Sequence, residues 1–233
     1  MSANTALLLF YRDSVNESKI GIYQSSAIFS DINDHLINKL SYQPYDLILY
    51  SEDQQKGDDF GSRYYNALKE TFALGYEKII SIGNDTPQLS VNHIQQADQQ
   101  SGHQKICIGP SNDGGFYLLA LHRSDFENID FNKIDWQTSR VFRQLTDQLD
   151  EKCITFDKLR SLTDIDDVSS LQKVLQDLPQ NNPLKKTLLG GLARPTVKAS
   201  KSKSFQEHQY IAHFLIKVRP DRSLLSNNLR TQL

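Results

Sequence analysis

Three short stretches place acidic side chains where a sheet protein binds ligands. In "KIISIGNDTPQLS" a β-branched apolar run stops at a glycine, and Asn84, Asp85, Thr86 and Pro87 follow. A short run of this kind bounded by Gly and Pro is a buried strand more often than a helix. Asp85 then falls at the carboxyl end of a strand, where open α/β sheets hold their ligands. In "IGPSNDGGFYLLAL", Asp113, Gly114 and Gly115 precede a strand that is apolar on both faces. Paired glycines accept positive φ and let a ligand or another backbone come close. In "LTDIDDVSSL", Asp164, Asp166 and Asp167 crowd the start of a helix. N-capping and the helix dipole account for one or two carboxylates there, and not readily for three. Asp, Asn and Gly also form ordinary turns, so each stretch by itself leaves turn and ligand site both open. Cysteine and histidine add nothing to this set. Cys107 and Cys153 sit in separate apolar runs that suit buried thiols, and the six histidines show no ligand spacing.

The elements that must position these acids follow from periodicity. Strands are expected at Ala6–Tyr11, Leu47–Tyr50, Lys78–Ile82, Lys105–Ile108, Phe116–Leu121 and Cys153–Phe156. Helical spacing links Ile28, Ile32, Leu36, Ile37 and Leu40; Tyr64, Ala67, Leu68 and Phe72; and Val141, Phe142, Leu145 and Leu149. A last helix runs from about Asp167 through Leu171, Val174 and Leu175. Alternating strands and helices predict an α/β sheet covered on both faces. The two consecutive strands around "GPSNDGGFYLLAL" interrupt the alternation and predict a mixed sheet.

The chain's net charge of −2 hides a division. From Pro183 onward there are ten Lys and Arg against two Asp and Glu, a net of +8, which leaves residues 1–182 at −10. The composition also changes there, through "LLGGLARPTVKASKSKSFQEH", which reads as a linker or flexible loop. A main domain over 1–182 and a basic C-terminal extension over 183–233 are therefore expected. Within the extension "YIAHFLIKVRP" reads as one more strand, and left free it would be aggregation-prone. It is expected to dock on the acidic domain of its own chain or of a neighbour, the second case giving a homodimer. Nucleic acid is a poor partner for so acidic a main domain. No apolar stretch is long enough to span a bilayer, and the N-terminus lacks the features of a secretory signal, which sets the expectation of a cytoplasmic protein.

The runs "GDDFGSRYYNAL", "IISIGNDTPQLS", "IGPSNDGGFYLLAL", "IDWQTSRVF" and "LTDIDDVSSL", in that order, resemble the DUF2064 family of glycosyltransferase-A-like proteins over roughly Leu7 to Leu175. The resemblance implies a three-layer α/β sandwich with a mixed, mostly parallel sheet, as in nucleotide-diphospho-sugar transferases. It implies that Asp85, with Asp164 and Asp166, binds Mg²⁺ or Mn²⁺, and that Asp85 and Asp113 are catalytic. Substrate contacts are implied for Gly61 and Arg63 of an "LGxR"-like element, for Asn84, for Gly114 and Gly115, and for Trp136 and Thr138 of "WxT". The ligand would be a nucleotide or nucleotide-sugar, and the reaction metal-dependent glycosyl transfer. A guanylyltransferase-like nucleotidyl transfer and a non-catalytic binding relative are the alternatives. One departure stands out. Where the family carries a loop close to "PGxxKTRL", this chain has "FYRDSVNESKIGIYQSS", leaving Arg12 and Lys19 as the basic residues for phosphate and adding Asp13 and Glu17 beside them. Weak phosphate binding without metal is the expected result.

Overall fold

The computed structural model describes residues 4–12, 21–22 and 24–192, together with the backbone of 217–218. The six expected strands are present as β1 (Thr5–Phe10), β2 (Asp46–Tyr50), β3 (Lys78–Ile82), β4 (Lys105–Pro110), β5 (Phe116–His122) and β6 (Thr155–Lys158). They form one sheet in the order β6-β4-β5-β3-β1-β2, and Lys217–Val218 (β7) lies antiparallel on the outer edge of β2. β1 is parallel to both β2 and β3, and β4 is parallel to β6. β5 runs antiparallel between β3 and β4. The sheet is therefore mixed and mostly parallel.

Around it are helices α1 (Ser25–Ser41), α2 (Phe60–Ala73), α3 (Val91–Gln100), α4 (Arg123–Phe126), α5 (Val141–Glu151), α6 (Val168–Asp177) and α7 (Lys185–Gly190). Side chains of a strand alternate between the two faces, and β1 supplies both halves of the core. Leu7 and Leu9 pack with Ile28, Phe29 and Ile32 of α1, Ile94 and Ala97 of α3, and Leu171 and Val174 of α6. Ala6, Leu8 and Phe10 pack with Tyr64, Ala67 and Leu68 of α2 and with Val141, Leu145 and Leu149 of α5. Burial on both faces is why these strands read as continuous apolar runs. The result is the three-layer α/β sandwich.

Chain path fixes where a ligand can enter. From β1 the chain crosses α1 to β2 on one side, then returns over α2 to β3 on the other side of β1. The strand order thus reverses at β1 and β3, and the crevice beyond their carboxyl ends is the topological switch point.

Several details differ from expectation. Helix α3 was not foreseen, since only Ile94 and Ala97 of its ten residues are buried and they set too short a pattern. β6 begins at Thr155, not Cys153. Cys153 itself is exposed with φ 53°, in the turn that closes α5, so only Cys107 is the buried thiol that an apolar run suggested. The packed body also continues past residue 182, because Leu184 and Leu188 enter the same core as α1 and α6. Among the described residues no helix is long and apolar enough to cross a membrane.

Candidate functional site

Because five of the six main strands point the same way, their following loops gather at one edge of the sheet, and the β4–β5 turn joins them there. A cleft of about 1120 Å³ opens at this edge. It is lined by Arg12 after β1, Glu52 and Gln55 after β2, Asn84 and Asp85 after β3, Asp113 and Gly115 before β5, and Asp164 and Asp166 after β6. Arg63, Trp136 and Thr138 line it as well. Lys19 and the segment 13–20 lie outside the described residues.

The acidic loops are laced to one another. Ile165 donates its backbone N–H to the Asp85 carbonyl at 2.8 Å, so the Asp164–Asp166 segment runs beside Asp85. Thr86 donates its hydroxyl to Asp164 Oδ1. On the other side, Asn112 N–H reaches the Leu162 carbonyl at 2.9 Å and its amide reaches Thr163 Oγ1 at 2.8 Å. The third acid of that segment has a separate task. Asp167 is the N-cap of α6, accepting from Ser170 N–H at 2.7 Å, and that bond holds its carboxyl below the usual range. Capping therefore accounts for one of the three carboxylates and leaves two for the cleft.

Those two, with Asp85, are held above the ordinary carboxylate range. Burial is the main cause in each case. Asp164 is pushed up to about 8 by burial and then by the charge of Asp85. Asp85 is raised by burial, with Asp113 adding to the effect and the Arg12 guanidinium opposing it. Asp166 is raised by burial and by the charges of Asp85 and Asp113. No group of three His, Cys, Asp or Glu side chains among the described residues stands ready to hold a metal by itself. Mg²⁺ is ordinarily held by one or two carboxylates plus substrate phosphates, so a pair from this set fits that donor requirement.

Asp113 is more exposed, and its Oδ1 accepts from Gly115 N–H at 2.9 Å. The turn that carries it needs glycine at 114, where φ is +97° and an added Cβ would stand 2.2 Å from the Ser139 carbonyl oxygen. Gly114 thus lets two backbones meet and does not line the cleft. Gly61 likewise sits behind the cleft wall, and a Cβ there would fall 2.3 Å from the Trp136 ring. Asn84 is 3% exposed, and its amide is committed to the Arg12 carbonyl at 2.8 Å and Asn33 Oδ1 at 2.7 Å. It anchors the start of the β1 loop. Thr138 donates its hydroxyl to the Asp135 carbonyl at 2.6 Å. Sequence reasoning missed Asn33, Thr86 and the aromatic residues Phe60 and Phe116 that also line the cleft. Phe60 sat in plain view beside Gly61 in "GDDFGSRYY", but nothing local marks a ring as facing a cleft.

Comparison with solved structures defines the fold. A nucleotide-diphospho-sugar transferase candidate from Desulfovibrio desulfuricans G20, 18% identical, superposes with a TM-score of 0.68 over 79% of this chain and 93% of its own. A nucleotidyl transferase from Methanothermobacter thermautotrophicus, 11% identical, superposes with a TM-score of 0.51 over 80% of this chain and 98% of its own. At those identities the likeness establishes the fold, which is that of the nucleotide-diphospho-sugar transferases. Residues 49–138 match the model of DUF2064, an uncharacterized family conserved in bacteria, and the resemblance read from the sequence is borne out there. Asp85, Asp113 and Trp136 lie inside the matched stretch; Arg12, Asp164 and Asp166 lie outside it. No curated protein matches the chain.

Proposed function

We propose that the protein is a metal-dependent transferase that moves a sugar from a nucleoside diphosphate to an acceptor hydroxyl. The observation that supports this most is the gathering of Asp85, Asp164 and Asp166, from loops after β3 and β6, at the switch-point cleft, where desolvation and neighbouring carboxylates raise them. Partly covered carboxylates that repel each other do not stabilise a fold; a cation between them removes the conflict. Asp85 with Asp164 or Asp166 would hold Mg²⁺ or Mn²⁺ together with diphosphate oxygens. When bound, the cation neutralises the charge that develops on the departing diphosphate. Arg12, anchored through Asn84, and Arg63, in the first turn of α2, supply positive charge within the cleft. Asp113, exposed and oriented by Gly115 N–H, takes the acceptor's proton as its oxygen attacks.

A thermal-shift panel of UDP, GDP, CDP and dTDP, each with and without Mg²⁺ or Mn²⁺, tests the reading. A nucleotide at a hundredfold its Kd should stabilise the protein by about 2.7 kcal/mol, which in a chain of this length is roughly 5–10 °C. The shift should need the metal, since the altered loop after β1 brings little net positive charge. No shift with any nucleotide and metal would overturn the proposal. Release of pyrophosphate from a nucleoside triphosphate, in place of a nucleoside diphosphate from a nucleotide-sugar, would assign nucleotidyl transfer.

A further inference from the structure

The carboxylates occupy one part of the cleft. Another part of its wall consists of three partly exposed rings, Phe60 from the first turn of α2, Phe116 from the start of β5 and Trp136 from the loop before α5. Phe60 and Trp136 are 5.3 Å apart between ring centroids, and Phe116 and Trp136 are 6.0 Å apart. Buried rings back them, with Tyr64 at 5.6 Å and Phe131 at 6.2 Å from Trp136. The indole is fixed in place, because its N–H donates to the Phe131 carbonyl at 2.9 Å and its ring fills the space that Gly61 leaves open. It has no N–H left to offer, so a ligand meets ring surface. Core packing explains the backing rings, but it does not require three half-covered rings to converge on a polar cleft.

Charge decides which substrate meets that wall. Of the described residues lining the cleft, Arg12 and Arg63 are the cations, and Arg12 acts on Asp85 and Asp166. A diphosphate therefore belongs with Arg12 and the acids, where a metal can join it. The rings are left for the other substrate. Asp113 adjoins both parts: its charge raises Asp85 and Asp166, it lies three residues before Phe116, and the Gly114 of its turn abuts the Ser139 backbone in the same loop as Trp136.

We infer that Phe60, Phe116 and Trp136 form the acceptor subsite, which takes a hydroxylated ring compound with its apolar face flat against them and its hydroxyl turned to Asp113. This rests on the transferase reading above. In the transfer, the acceptor oxygen forms the new bond to the sugar's anomeric carbon, and the carbon–oxygen bond to the diphosphate breaks with its electron pair going to the nucleoside diphosphate. The acceptor's proton passes to the Asp113 carboxylate. The ring could be a sugar, through its C–H face, or an aromatic alcohol; both present the same flat apolar surface.

Trp136 is the chain's one tryptophan, so its fluorescence reports on this subsite directly. The full-length protein is titrated with methyl β-glucoside in one arm and benzyl alcohol in the other. A saturable change in one arm is expected and identifies which ring type is preferred. In Phe60→Leu the ring compound should bind about tenfold more weakly, the scale of one lost ring contact, while UDP–Mg²⁺ binding by calorimetry stays within about twofold. Phe116→Leu should do the same, which protects the test against one variant that fails to fold. No saturable change in either arm overturns the inference. Equal loss of ring and nucleotide binding in both folded variants also overturns it, by giving the wall to the nucleobase. If the native protein binds no nucleotide but the ring titration saturates, the transferase reading fails while the ring subsite stands.

Discussion

Asp164 shows how a single residue records its surroundings. An aspartate in an unfolded chain titrates near 3.9, whereas burial and the charge of Asp85 push this one up to about 8. The folded state then binds a proton that the unfolded state does not, throughout the interval between those values. Its contribution to stability is complete below the unfolded value and is lost as pH rises through about 8. The metal-free protein should accordingly melt at a lower temperature at pH 8 than at pH 5. Asp164→Asn, which keeps an oxygen for the Thr86 hydroxyl, should flatten that profile. It should raise Tm at pH 8 by roughly 2–4 °C, the shift that about 1 kcal/mol produces at this chain length. It should also abolish any metal-dependent gain from nucleotide. A variant that melts below the native protein at pH 8 would show that the carboxylate supports the fold.

Among the elements, α2 does the most to shape the cleft. Asp59 caps it by accepting from Ser62 N–H at 2.7 Å, and its first turn presents Phe60 and Arg63 to the cleft while Gly61 faces the Trp136 ring. The helix and the "WxT" loop are therefore one unit, joined where a side chain is missing. Gly61→Ala removes a helix-unfavourable glycine, which by propensity alone would stabilise by up to about 1 kcal/mol. The clash with the indole opposes this and should dominate, since overpacking costs about 1–3 kcal/mol. Urea unfolding should show a net loss, and the Trp136 emission should shift as the ring is displaced. A more stable Gly61→Ala protein with unchanged emission would mean that the loop yields freely and that the glycine has no packing role.

For the whole molecule, the charge division between 1–182 and 183–233 gains a structural counterpart in β7. Val218 pairs with Leu47 and Lys217 with Ile48, extending the sheet beyond β2. The "YIAHFLI" stretch just before it lies outside the described residues. Without β7 the apolar strand β2 would present an open edge, a template for association with other chains. Deleting residues from Lys198 onward should lower the melting temperature or the solubility, as measured by scanning calorimetry and light scattering. A truncated protein that melts as before and stays monodisperse would free the extension from any role in the sheet.

Strands β1 to β5 were legible in the sequence because each is largely apolar and bounded by Gly, Pro or polar turns, whereas β6, a partly exposed edge strand, was placed two residues early. The acids at 85 and 113 were visible as charges beside those runs, and 164 and 166 as part of an acidic cluster at a helix start, set apart from 167 by the family resemblance. Local pattern could not show that Thr86 and Asp164, 78 residues apart, touch, nor that β5 inserts between β3 and β4. It could not distinguish Asp167, a helix cap, from Asp164, a raised carboxyl in the cleft. It could not show that the Asn84 amide holds the Arg12 carbonyl, and it passed over the rings of Phe60 and Phe116. Periodicity reports which face of an element is buried, a property of neighbours in the chain. The pairing of loops, the burial that moves a carboxyl's pKa and the meeting of rings from three separate elements depend on groups distant in sequence, and only the tertiary structure brings those together.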